Sequence, residues 1–324
     1  MITSPSKRTN VRHFSASSVL RGPLRALTLV SPKTTARLAA RWFITPRRHP
    51  RPVLEQEILQ SGQPMIVPIE GPSIVRAWRW GTAPYVLLVH GWEGRGTQLG
   101  AFIEPLRRAG YGVVTFDGPA HGDSPGRRSG PPMLGTALLA VARWVGGIHG
   151  LVAHSMGALA TPWALARGLR VGRIVFIAPG FSPDDATARM AEILDLPPSV
   201  LESMREHVGH QAGRPWRTLV DDIMGEIEPP LLVIHDEHDK EVSMAAARYW
   251  VDKARNGQLE RTTGLGHRRI LRSSEVVTKA ILFLGPPEVP EPLDPWQKLL
   301  HGHFEIERPK DEGLDRERQA RESP

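Results

Sequence analysis

Gly150-Leu151-Val152-Ala153-His154-Ser155-Met156-Gly157-Ala158-Leu159-Ala160 sets a lone serine between two apolar segments of different character. Gly150 to Ala153 is short and apolar enough for a buried strand, and the run from Ala158 to Ala166 continues as a helix. A strand–serine–helix turn lifts the hydroxyl clear of a sheet and aims backbone N–H groups near it, as an activated serine requires. Ala153 and Gly157 keep the turn small where strand and helix backbones approach closely. The competing reading is an ordinary helix N-cap, a position that serine favours.

Other segments carry chemistry-bearing residues at the ends of apolar runs. Tyr85 to Val89 flows into His90-Gly91-Trp92-Glu93-Gly94-Arg95-Gly96, and Val113 to Asp117 into Gly118-Pro119-Ala120-His121-Gly122-Asp123-Ser124-Pro125-Gly126. After the Pro229-Pro230 break, Leu231 to His235 predicts a buried parallel strand ending in Asp236-Glu237-His238-Asp239. Leu259 to Thr263 predicts a last short strand, followed by Gly264-Leu265-Gly266-His267. Asp239 lies 84 residues after Ser155 and His267 a further 28.

Gln63–Ile69 and Ser73–Trp80 predict an antiparallel hairpin at a sheet edge. Helices are expected over Gln98–Arg108, Met133–Val145, Gly157–Arg167, Met244–Arg255 and Ser274–Phe283, alternating with the strands and with Val171–Ala178 in the rhythm of a parallel sheet. The rhythm breaks between Ala178 and Pro229, where Asp184–Leu194, Ser199–His207 and Trp216–Met224 predict short helices.

In this order the segments resemble the α/β-hydrolase family, with Ala153 in place of the first glycine of its Gly-x-Ser-x-Gly elbow. The resemblance spans roughly residues 64 to 286. It implies an α/β fold with a mostly parallel central sheet flanked by helices and a small helical cap. The core would take residues 55–178 and 230–290, and the cap 179–229. It implies Ser155 as nucleophile, Asp239 as acid and His267 as base, with the backbone N–H groups of Trp92 and Met156 as the oxyanion hole. Asp236, Asp184 and Asp185 compete for the acid's role, and Asp236→Asn is expected to be tolerated if Asp239 holds it. His90, His121 and His154 are expected to be structural. His235 and His238 form a weak His-x-x-His pattern for a metal, with the structural reading favoured. Cap residues Met190, Leu194, Met204 and Trp216, with Trp92, are candidates for an acyl pocket, although apolar residues at helical spacing more often simply pack.

Composition narrows the function classes. The 324-residue chain has no cysteine, which removes disulfides, thiolate nucleophiles and Cys-ligated zinc. No phosphate loop or Gly-x-Gly-x-x-Gly fingerprint is present, and a serine hydrolase needs neither cofactor nor metal. The net charge of +7 is local: eleven of the 41 basic residues precede Glu55, the first acid, and the other 30 face 34 acids. No basic face for nucleic acid is therefore expected. The basic extension over residues 1–54 has three readings. It is a disordered start followed by a helix capped at Ser31-Pro32 and covering the sheet, a weak contact with anionic membrane, or a transit-like segment. A charged, disordered tail is expected over 291–324.

The expected reaction is cleavage of a carboxylic ester, thioester or amide in a small-molecule acyl substrate, through an acyl-enzyme on Ser155. An acyltransferase or peptidase on the same residues, or a non-catalytic binding protein, are the alternatives. The expected location is cytoplasmic, with membrane association or an organelle as alternatives; the oligomeric state stays open.

Overall fold

The computed structural model describes residues 17–71 and 73–287. The first sixteen residues of the basic extension and the tail expected over 291–324 lie outside that span. Eight strands form one sheet: β1 (Gln63–Pro68), β2 (Ile74–Trp80), β3 (Tyr85–Val89), β4 (Gly112–Asp117), β5 (Gly150–His154), β6 (Arg173–Ile177), β7 (Leu231–Asp236) and β8 (Gly257–Thr262). Their order is β1-β2-β4-β3-β5-β6-β7-β8. β1 and β2 form the expected antiparallel hairpin, β2 joins β4 antiparallel, and every later pairing is parallel.

The five strands β3 to β7 are almost wholly buried because helices cover both faces. Alternate residues enter two separate cores, as the two-residue period of a strand demands. Leu87, Val89, Leu151, Ala153, Phe176 and Val233 face one core; Val86, Leu88, Val152, Val175 and Ile234 face the other. Helices α5 (Pro131–Trp144), α6 (Met156–Leu165) and α10 (Met244–Lys253) fill the first, and α4 (Ile103–Arg108) and α12 (Ser274–Leu284) the second. A 3₁₀ segment, Gly96–Phe102, replaces the first turns of the helix expected from Gln98.

Chain order reverses between β3 and β5. From β3 the chain steps to β4 on one side, then crosses back to β5 on the other. In parallel α/β sheets such a switch point opens a crevice at the strand C-termini. The turns after β3 and β5 border it.

Three helices leave the sheet between β6 and β7: α7 (Pro183–Leu194), α8 (Pro198–Gln211) and α9 (Trp216–Ile223). The basic extension supplies α1 (Ser17–Val30) and α2 (Pro32–Phe43) and leads into α3 (Val53–Gln60). Helix α2 begins at Pro32 as expected, but Ser31 makes no side-chain cap bond. Nor does α2 cover the sheet. Its buried face of Thr35, Ala36, Ala39 and Ala40 packs on α8, while α1 packs on α7. Small side chains let α2 come close to Val200, Met204 and Val208. Among the described residues, no helix is long and apolar enough to cross a membrane.

The segment after α2 ties the extension to the loops at the switch point. Arg95 Nε and Nη2 donate to Glu55 at 2.5 and 2.9 Å, and Thr97 Oγ1 donates to the same carboxylate at 2.6 Å. Arg51 donates to Thr97 Oγ1, Asp117 Oδ2 and Asp123 Oδ2 at 2.6, 2.8 and 3.0 Å. Asp117 Oδ1 accepts from Gly96 N. Arg95 and Glu55 are both buried, so removing one partner leaves an uncompensated charge. Arg95→Met should lower unfolding free energy by about 3–5 kcal/mol, with part of the loss recovered in Arg95→Met/Glu55→Leu. Urea denaturation of both variants checks this; equal midpoints for wild type and Arg95→Met would contradict it.

Candidate active site

Ser155 stands between β5 and α6 with φ +52° and ψ −115°, a conformation that costs a non-glycine residue about 1–3 kcal/mol. It occupies the helix N-cap position, yet its side chain makes no cap bond. The hydroxyl lies 3.0 Å from His267 Nε2. His267 Nδ1 lies 2.7 Å from Asp239 Oδ2. A carboxylate only accepts, so Nδ1 carries the proton donated to Asp239, and Nε2 is free to accept from Ser155.

Asp239 is the acid that reaches the imidazole. Its Oδ1 also accepts from the N–H groups of Glu241 and Val242 at 2.7 and 3.0 Å. Burial alone would raise its pKa. The bond from His267, the charge of that ring and the two backbone N–H groups outweigh burial and hold the carboxyl below its ordinary value. His235 Nε2 sits 3.6 Å from Asp239 Oδ2 and donates to Val242 O. Burial lowers the His235 pKa, keeping it neutral behind the acid.

Asp236 has a different task. It accepts from Leu265 N at 2.8 Å, Thr262 Oγ1 at 2.9 Å and His238 N at 3.0 Å. It thereby joins the end of β7 to the glycine turn that leads into α11 (Gly266–Arg269), which carries His267. Its pKa is lowered, since these donors and Gly266 N outweigh the opposing effect of burial. In Asp236→Asn an amide would turn N–H against groups that are themselves donors, so the substitution bears on how the turn before His267 is held. Asp184, the other rival, accepts from Trp216 Nε1 at 2.8 Å within the cap. Its neighbour Asp185 stands in the first turn of α7.

The turn after β3 runs against Ser155. A Cβ on Gly91 would lie 2.8 Å from Ser155 Cβ, and one on Gly157 would lie 2.8 and 2.9 Å from the carbonyl oxygens of Val89 and His90. The N–H groups of Trp92 and Met156 flank this contact, and neither has an acceptor among the turn hydrogen bonds of the described residues.

Three neutral histidines hold the surrounding loops. His90 Nδ1 donates to Gly91 O at 2.7 Å and its Nε2 accepts from Gly118 N at 2.8 Å. His121 Nδ1 donates to Pro119 O and its Nε2 accepts from Glu93 N. His154 Nε2 donates to His267 O at 2.9 Å, with the two rings 4.8 Å apart. Burial pushes these pKa values down to about 4 for His90 and about 3 for His121 and His154.

Met190, Leu194, Met204 and Trp216 are buried in the hydrophobic packing of the cap with α6. They belong to a core. Trp92 is partly buried, its ring edge-on to His121 at 5.5 Å. His238 and His235 gather no further ligand: among the described residues no group of three or more His, Asp or Glu is placed to hold a metal ion. The Glu55–Arg95 and Asp236 contacts escaped the sequence reading, since nothing local to those residues marks a partner 40 or 29 positions away.

Two outcomes follow from this geometry. Asp236→Asn should cost about 1–3 kcal/mol of unfolding free energy by setting an N–H against buried donors; an unchanged urea midpoint would contradict it. Unfolded histidines take up protons near pH 6.5, whereas these three stay neutral to pH 3–4 in the native protein. The unfolded chain therefore binds more protons in that window. Stability is full above pH 6.5 and falls below it, by about 1.4 kcal/mol per ring and pH unit. Urea midpoints at pH 7.5 and 5.0, above the carboxylate range, should differ accordingly; equal midpoints would rule the linkage out.

The profile of the Alpha/beta hydrolase family matches residues 86–280. Among solved structures, an esterase from Pyrococcus furiosus is similar with 21% identity and a TM-score of 0.56, over 74% of this chain and 96% of that one. Est1E from Butyrivibrio proteoclasticus, solved with ferulic acid bound, has 20% identity and a TM-score of 0.53 over 67% and 96% of the two chains. A monoacylglycerol lipase from Paleococcus ferrophilus has 20% identity and a TM-score of 0.51 over 65% and 98%. No curated protein matches. The family profile covers more than half of the chain, and the sheet order and the elbow at Ser155 agree with it: the chain belongs to the alpha/beta hydrolase family.

Proposed function

We propose that this protein is a serine hydrolase that cleaves a carboxylic ester through an acyl-enzyme on Ser155. The observation that carries the reading is the unbroken hydrogen-bonded line from Ser155 Oγ to His267 to Asp239, at 3.0 and 2.7 Å. In the proposed reaction His267 Nε2 takes the hydroxyl proton as Ser155 Oγ attacks the carbonyl carbon. Asp239 keeps the ring in the tautomer that can accept and stabilises the imidazolium that forms. The N–H groups of Trp92 and Met156 would receive the oxyanion, a contribution of about 10²–10³ in rate for each donor. His267 then returns its proton to the leaving alcohol, and a water activated by the same nitrogen releases the acid.

The esterase and lipase neighbours fit this reaction, and so does the strained Ser155 backbone, which holds the side chain off the helix it would otherwise cap. Acyl and alcohol groups of the substrate are left to experiment. Thioester or amide cleavage uses the same groups.

Labelling with a fluorophosphonate probe, followed by peptide mapping, tests the proposal. Wild type should be labelled at Ser155, and Ser155→Ala should lose both label and turnover, by about 10⁶-fold in kcat, with an unchanged urea midpoint. Asp239→Asn should lose about 10⁴-fold, because the amide favours the wrong tautomer of His267. A folded wild type that takes no label and hydrolyses no p-nitrophenyl ester from acetate to dodecanoate would sink the reading.

A further inference from the structure

An open concavity of ≈ 600 Å³ is lined by four arginines, Arg41, Arg48, Arg127 and Arg128, and by no acid, and Ser155, Asp239 and His267 are not among its lining residues. One wall is the end of α2 and the residues after it. The other is the loop after β4, from Ala120 to Arg128. Positive charge is gathered here by a built frame. Arg48 is spent on that frame: its guanidinium donates to the carbonyls of Gly122, Ser124 and Gly126 at 2.6, 2.6 and 3.3 Å. Ser129 N donates to Ile44 O at 2.8 Å and ties the second wall to the first. Thr45 Oγ1 donates to Arg41 O and closes the end of α2.

The other three arginines have no such employment. Arg41, Arg127 and Arg128 are exposed, and none makes an ion pair or a side-chain hydrogen bond among the described residues. Asp123, the acid nearest in sequence to Arg127 and Arg128, is engaged by Arg51, and Glu55, the first acid after Arg41, by Arg95. Like charges crowded round one hollow repel, and each guanidinium keeps five donors. An anion with several oxygens would relieve both. Phosphate suits a guanidinium best, because planar forks meet its oxygens in pairs.

We infer that this concavity binds a phosphate group, independently of the reaction at Ser155. Arg41, Arg127 and Arg128 supply the contacts, and Arg48 ties the two walls together through the carbonyls of Gly122, Ser124 and Gly126. The phosphate can belong to a dissolved molecule or to a lipid headgroup. The second source has its own support, since exposed Leu38 and Trp42 flank Arg41 on α2. The site does not rest on the hydrolase reading: Ser155→Ala should bind phosphate as wild type does.

The test uses the full chain, with Arg127→Ala/Arg128→Ala and Arg41→Ala as variants. These side chains make no internal bond, so folding is expected to survive, and a urea midpoint checks it. Pyrophosphate is titrated by calorimetry at 50 mM and 150 mM salt, and vesicles of phosphatidylcholine with and without 30% phosphatidylglycerol are used in co-sedimentation. Pyrophosphate binding that weakens about tenfold for each arginine removed supports a dissolved ligand. Binding to phosphatidylglycerol vesicles alone, lost in the same variants, supports a headgroup. Absence of both, or binding that the variants retain because it arises from Lys7, Arg8 and Arg12 at the chain start, overturns the inference.

Discussion

The turn after β3 and the elbow after β5 meet with no room for a methyl group between them. Gly91 lies against the Ser155 side chain, and Gly157 against the carbonyls that end β3. That approach exists because β3 and β5 are neighbours at the point where chain order reverses. Met156 is the first residue of α6, so its N–H has no acceptor within the helix, and Trp92 lies in the turn before the 3₁₀ segment begins. The same contact forces Ser155 out of a normal cap geometry and turns its hydroxyl toward His267. Position, donors and strained backbone are thus three consequences of one packing constraint.

Such a contact needs its loops held still, and the molecule holds them from behind. His90 and His121 bond backbone groups in their neutral forms, so each bridges two turns without bringing charge into the interior. Below them, Asp117 receives Gly96, Asp123 and Arg51 at once. Burial raises its pKa against the pull of Arg51 and those N–H groups. Arg95 and Glu55 extend the network to α3. The basic extension is therefore part of the scaffold: α1 and α2 pack on α7 and α8, and the charge of Arg51 is used inside.

Asp236 and Asp239 show how two carboxylates three residues apart come to differ. Asp236 ends β7 and points at the turn before His267, where N–H groups and a threonine hydroxyl satisfy it. Asp239 lies past the bend, where two N–H groups take one oxygen and leave the other for the imidazole. One acid fixes where the histidine stands, and the other sets which of its nitrogens carries the proton.

The sequence by itself determined the strand order of chemistry: a serine, an acid and a histidine, each just after an apolar run, with the elbow legible because its small residues are local. Strand and helix positions were legible for the same reason, since burial on both faces leaves unbroken apolar runs. The resemblance singled out Asp239, but the residues by themselves left Asp236, Asp184 and Asp185 as rivals, because the choice depends on where each turn points. Nor did the sequence reveal that α1 and α2 cover the cap rather than the sheet, which partners Met190, Leu194, Met204 and Trp216 pack against, or that Glu55 holds Arg95. Those are pairings across tens of residues, and only tertiary structure selects them: burial and hydrogen-bond satisfaction are summed over neighbours that the order of the chain does not name.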